Sequence, residues 1–271
     1  MAQTNYSQLH LNTHTPLRTR SHIHWSAFAC IAILCGGTHL SGQEVAPEKD
    51  PAARMEAIKK SIKEVAPGKY DLGGIIIDGA TREVRIPTVV NLVQSPVEYM
   101  LVHETGKTHE SVLKTSLDPL RIQVALLLAN YEPGTEGVYA KAPAGAQLAL
   151  FPKVTPVHPG ANLVNLDVEW EIDGKKKRTA FSQWVQNIEI RKPAPDMDVW
   201  MFTGSKIDER GFVASSDGSI IALWADPNSV LNSIAAGNDR DELWITLPAN
   251  IPPEGTPVTL IVTPNPQPKK P

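Results

Sequence analysis

The chain is poor in cysteine. Its two cysteines, Cys30 and Cys35, both lie near the start, so a mature protein beginning later has no disulfide, no thiolate metal ligand and no cysteine nucleophile. Histidine is nearly as scarce past the same point, because five of the eight precede residue 40 and only His103, His109 and His158 remain. An excess of basic charge is missing too. Setting aside Arg18 and Arg20 leaves 24 of the 26 Lys and Arg against 29 acidic residues, a net charge near −5, which argues against nucleic acid as a partner. There is no internal repeat, no heptad and no phosphate-binding glycine loop. The apolar run Trp25 to Cys35 is too short to cross a bilayer as a stable helix.

That run belongs to a leader. Arg18 and Arg20 precede it, no acidic residue interrupts it, and the small-residue stretch "GGTHLSG" follows, the order of a secretory signal peptide. Residues 1–42 are expected to be removed near Gly42, with 43–51 a flexible tether, 52–264 one β-rich domain and 265–271 a disordered tail. The expected location is secreted or periplasmic. An uncleaved leader anchoring the chain to a membrane is the alternative, and lipidation at Cys35 fits poorly because "AIL" precedes it.

Many short apolar runs and 23 prolines indicate a sheet-dominated fold. Met55, Ile58, Ile62 and Val65 recur at spacings of three and four, which predicts an amphipathic helix over Ala52 to Val65. "GIIID" and "EVRIPTVVNL" read as strands, the second at an edge or bulged because Pro87 cannot donate to a ladder. Val97 to Glu104 alternates, with Val97, Tyr99, Leu101 and His103 on one face and Glu98, Met100, Val102 and Glu104 on the other. Asp118 and Pro119 open the best helix, whose apolar stripe is so wide that little of it should face water. "AQLALF", "NLVNLDVEWEID", "DVWMFTGS", "GSIIALWA", "DELWITLP" and "TPVTLIVTP" supply further strands. Asp173 and Gly174 make a hairpin turn whose basic tip is solvated, and "DPNSVLNS" reads as a short helix or turn pair.

Chemistry concentrates in "VHETGKTHESVL", residues 102–113. A zinc-protease helix needs two histidines four apart, and His103 and His109 are six apart with Gly106 between, so no metal site is assigned. Ser111 stands two residues from His109, on the same face of a strand, but a working hydroxyl also needs an oriented base and an oxyanion hole. The plainer reading is that both side chains bond neighbouring backbone, with Lys107, Glu104 and Glu110 as turn charges. A second cluster, Asp239, Asp241 and Glu242, lacks the loop spacing of a calcium site. Trp200, Trp224 and Trp244 lie within strands and read as packing residues.

Taken in order, "VEYMLVHETGKTHESVLKT", "PLRIQVALLLANYEPG", "VEWEIDGKKK", "WMFTGSKI" and "GSIIALWADPNSVLN" resemble the YdjY-domain family of secreted bacterial proteins, over about Gly68 to Val262. The resemblance rests on Gly106, Lys107, His109 and Ser111 of "GKTHES", with "GSK" at Gly204 to Lys206. It implies no agreed activity. Some relatives carry a cysteine cluster suggestive of an iron–sulfur centre, which does not carry over to a chain with no cysteine after Cys35.

The expectation is therefore an α+β, β-rich domain in which a mostly antiparallel sheet packs on a central buried helix, with an N-terminal amphipathic helix added. Its expected role is non-catalytic, binding an envelope protein or small ligand through His103, Lys107, His109 and Ser111, with no cofactor. The alternative is a hydrolase or transferase using His109 with Ser111 or Glu110.

Overall fold

The computed structural model describes residues 51–146, 151–191, 197 and 199–265. The expected leader, most of the expected tether and C-terminal tail, and most of the expected "AQLALF" strand lie outside the described residues.

Helix α1 (Pro51–Lys60) leads into β1 (Ile62–Ala66), β2 (Lys69–Leu72), β3 (Ile75–Asp78) and β4 (Glu83–Val90). Next come β5 (Tyr99–His103), β6 (Ser111–Thr115) and helix α2 (Pro119–Leu128). Then follow β7 (Leu163–Ile172), β8 (Lys175–Ala180), β9 (Val185–Asn187), β10 (Trp200–Phe202) and the short pair β11 (Ile207–Asp208) and β12 (Gly211–Phe212). Helix α3 (Val213–Asp217), β13 (Ser219–Ala222), β14 (Leu231–Ser233), β15 (Trp244–Thr246) and β16 (Pro257–Pro264) complete the order.

The large sheet runs β4-β16-β7-β10-β14-β13-β5-β6, and β6 returns to pair with β4, closing a barrel of eight strands. Strands β3, β2 and β1 extend outward from β4, and β8 folds back on β7. This corrects the expected sheet on a central helix. Closure lets the strands bury their apolar faces against one another without a helical layer. One apolar cluster joins barrel residues such as Ile86, Leu113, Val168 and Leu260 to Ile122 and Leu126 of α2. Helix α2 packs against β3, β4 and α3. Its start follows expectation, with the Asp118 carboxylate accepting from the Leu120 amide at 3.1 Å ahead of Pro119. Its end does not: Leu127 and Leu128 are 44% and 43% exposed.

Other expectations change for local reasons. The stripe predicted as one helix breaks after Lys60, and Ile62 to Ala66 instead pairs with β2 around the Pro67–Gly68 turn. Hairpin pairing with the adjacent strand outweighs a weak helical preference there. Pro87 sits inside the sheet, at neither an edge nor a bulge. It marks where β4 changes partner: residues 83–85 pair with β3 and residues 89–90 with β6, so the missing amide leaves no ladder bond unmade between them. "DPNSVLNS" turns once and then supplies β14, a barrel strand. β15 pairs with β9 outside the barrel.

Two pairs are parallel, β5 with β6 and β13 with β14. Parallel neighbours ordinarily need a crossover of about a dozen residues or more. Here residues 104–110 and 223–230 suffice. Since Tyr99 stands opposite Ser111, the first crossover must recover about 13 Å of strand length in seven residues, well within the roughly 23 Å such a segment spans when extended. The path is possible because Gly106 lies against Gly218: a Cβ on Gly106 would fall 2.9 Å from the Gly218 Cα. No described helix is long and apolar enough to cross a membrane.

Candidate functional site

The two tight crossovers meet. Lys107, on the first, donates to the Tyr99 hydroxyl at 2.5 Å and lies over the same ring, 4.6 Å from its centroid. Tyr99, fully buried, donates to Asp226 Oδ2 on the second crossover at 3.1 Å. The Ser229 hydroxyl donates to the same oxygen at 3.1 Å, and the Asn228 amide to Oδ1 at 2.9 Å. Burial, with the Asp226 carboxylate adding to it, pushes the Tyr99 phenol far above its ordinary range, so it stays protonated. Asp226 opens the turn after Ala225 and bonds backwards to Tyr99, tying the two parallel returns together.

The other side of the first crossover borders a cavity of ≈ 500 Å³ lined by Ser95 to Glu98, His109, Glu110, Asp241, Glu242 and Trp244. The Glu98 amide donates to the Glu110 carbonyl at 2.9 Å, and both residues line the cavity. Burial raises the Glu98 carboxyl from 4.5 to about 7, helped by the Glu110 and Asp241 carboxylates and opposed by Lys107. His109 turns outward, its side chain 78% exposed, with Nε2 at 3.5 Å from Glu110 Oε2.

The remaining predicted residues scatter. The buried Ser111 hydroxyl donates to the Leu113 carbonyl at 2.7 Å. His103 Nδ1 lies 2.8 Å from the Thr105 hydroxyl, closing a turn of the crossover. Thus Lys107 goes to the buried network, His109 and Glu110 to the cavity, and Ser111 and His103 to local bonds. Asp239 lines a separate cavity of ≈ 650 Å³ with Asn187, Ile190, Gly237, Arg240 and Leu243. There Arg240 is taken by Glu189 and Glu242. Among the described residues no group of three His, Cys, Asp or Glu is arranged to hold a metal ion. An iron–sulfur cluster finds no thiolate, since the described residues contain no cysteine. Trp200 and Trp244 are core residues, 0% and 1% exposed.

Glu98, Tyr99 and Asp226 were missed from sequence. A signal for the first was present: strict alternation puts Glu98 on the face of Met100 and Val102, although in the fold Met100 joins the main core and Val102 packs with Tyr99. Asp226 looked like an ordinary Asp-Pro turn, and nothing local tells that its carboxylate meets a tyrosine far away in the chain.

A family model described as the YdjY domain matches residues 75–263. The chain belongs to the YdjY family. The YdjY match opens at the first residue of β3 and ends within β16, so it takes in all eight barrel strands and both crossovers and leaves out α1, β1 and β2. Neither the curated proteins nor the solved structures give a match to the chain.

Proposed function

We propose that this YdjY protein is a non-catalytic binding domain, exported by its leader to the envelope or beyond, whose ligand sits in the cavity beside His109. The ligand is an organic cation, an amine or the basic side chain of a partner protein. What carries the reading is convergence: Glu98, Glu110, Asp241 and Glu242 face one cavity whose wall also includes Pro96, Val97 and Trp244. Acidic groups around an apolar wall suit a positively charged head on an apolar body. The test is titration of the protein with lysine- or arginine-bearing peptides, followed by amide shifts. Binding should centre on residues 95–98, 108–110 and 241–244, weaken at least tenfold in Asp241→Asn/Glu110→Gln, and fall with salt. Acidic peptides binding as well as basic ones would overturn the reading. Export predicts a mature N-terminus near Gln43, read by mass spectrometry of the exported protein.

A hydrolase or transferase remains the second reading, favoured by the His109–Glu110 contact at the cavity mouth. Ser111 supplies no nucleophile to it while its hydroxyl is bound to Leu113. Such an activity would therefore survive Ser111→Ala and be lost in Glu110→Gln.

A further inference from the structure

The longest run of basic residues in the chain, Lys175 to Arg178, has no part in the cavity. It opens β8 just past the Asp173–Gly174 turn, and all four residues are exposed. The ladder with β7 runs from Ile172 opposite Lys175 to Asp167 opposite Ala180, and both turn residues are at positive φ, so the hairpin holds its tip in one place. Arg178 is paired with Asp167 at 2.7 Å. Lys175, Lys176 and Lys177 form no salt bridge among the described residues, although Glu171 stands opposite Lys176 in the ladder. Lysines along an open strand edge deter other strands from pairing there. Three in a row also concentrate positive charge on a chain whose net charge is −3.

The cavity beside His109 is the complement of this tip. Of its four carboxylates, Glu242 is taken by Arg240 at 2.7 Å, while Glu98, Glu110 and Asp241 form no salt bridge with a lysine or arginine among the described residues. We propose, on the cation-binding reading above, that the partner is a second copy of this chain, which docks the Lys175–Lys177 hairpin tip at the cavity. Three lysines without an anion then meet three carboxylates without a cation. Lys175 and Lys177 share one face of β8 and so enter together, with Lys176 on the other face. A lysine stem can lie along Pro96, Val97 and Trp244 while its ammonium reaches the carboxylates, and a cavity of ≈ 500 Å³ has room for both. The tip is already ordered by its ladder, so docking gives up little backbone freedom. No tip residue lines the cavity, so a chain does not fill its own. With tip and cavity at different places on the surface, copies either reciprocate in a closed pair or add head to tail.

The test is sedimentation velocity of the full chain at low salt, from about 10 µM to about 1 mM, the range a small polar contact calls for. The sedimentation coefficient should rise with concentration and fall back when salt is added. Two variants divide the contact: Lys175→Gln/Lys176→Gln/Lys177→Gln removes the tip, and Glu110→Gln/Asp241→Asn removes the cavity charge. Each alone should associate roughly tenfold more weakly than wild type, or less. Mixing them should restore pairs, because one keeps the cavity and the other keeps the tip. Melting curves report whether either has lost its fold, in which case Lys177→Gln and Asp241→Asn take their places. A wild type that stays monomeric throughout overturns the docking, and so does association unchanged in both variants. A lysine-bearing peptide titrated into the tip variant separates this docking from the cation site itself. Peptide binding without self-association removes the docking alone; no peptide binding removes both.

Discussion

Replacing Tyr99 with Phe tests whether the two parallel crossovers are held by one buried network. The ring stays, so packing in the barrel is kept; one oxygen goes. Two bonds go with it, each to a charged partner, and such bonds contribute about 1.5–3 kcal/mol apiece. The two losses are unequal. Lys107 is only half-buried and can turn to water, which recovers most of its share. Asp226 is 3% exposed and cannot. It keeps the Ser229 hydroxyl and the Asn228 amide but loses a third donor in a place water does not reach. The expected cost is about 2–4 kcal/mol, which for a domain of this size lowers Tm by about 5–12 °C. Equilibrium urea unfolding followed by circular dichroism gives the number, and calorimetry gives the Tm. A cycle with Asp226→Asn should show a coupling of about 1 kcal/mol or more, since the two residues share a bond. A Tyr99→Phe protein within about 0.5 kcal/mol of wild type, or additive single and double changes, would refute the network.

Three further outcomes follow from the same geometry. Gly106→Ala forces a methyl to within 2.9 Å of Gly218 Cα and 3.1 Å of the Asp217 carbonyl. It should cost about 2–3 kcal/mol as overpacking, whereas Gly174→Ala, in open space at φ +70°, should cost about 1 kcal/mol from backbone strain alone; thermal melts of the two variants separate the effects. His109→Ala should leave the melting temperature unchanged because its side chain is in water, while Ser111→Ala, losing a buried bond to Leu113, should cost about 1 kcal/mol. Lastly, a carboxyl raised from 4.5 to about 7 in the fold favours the folded state most in acid. Stability should therefore drop as pH rises from about 5 to about 7.5 and then level, by about 1 kcal/mol once solvent screening of this half-exposed group is allowed for. Glu98→Gln should flatten that slope in denaturant melts, and an equal slope in both proteins would remove Glu98 as its source.

Much of the chain was readable because alternation and turn chemistry act locally. Leu163 to Ala180 folds as the hairpin that Asp173–Gly174 predicts, with both turn residues at positive φ. Asp118 and Pro119 open their helix for reasons contained in four residues. Failures came where a pairing partner decides. Ile62 to Ala66 carries a helical spacing and a strand's β-branched residues at once, and β2 settles the matter. Pro87 looked like an edge because the sequence cannot say that its strand trades one neighbour for another. The same holds for the site: "GKTHES" drew attention to the right crossover, yet it grouped side chains by spacing, and the crossover sends Lys107 inward and His109 outward.

The sequence by itself determined where most strands run, where α2 begins, that thiolate chemistry is absent beyond residue 35, and that one polar segment interrupts two apolar strands. Only the tertiary structure decided that the sheet closes, that two returns are parallel and short, and that Glu98 and Glu110 share a cavity while Tyr99 meets Asp226. Alternation fixes which face of a strand is apolar. It carries no record of which strand lies beside it, and closure, parallel pairing and side-chain meetings across the barrel are all questions of neighbours.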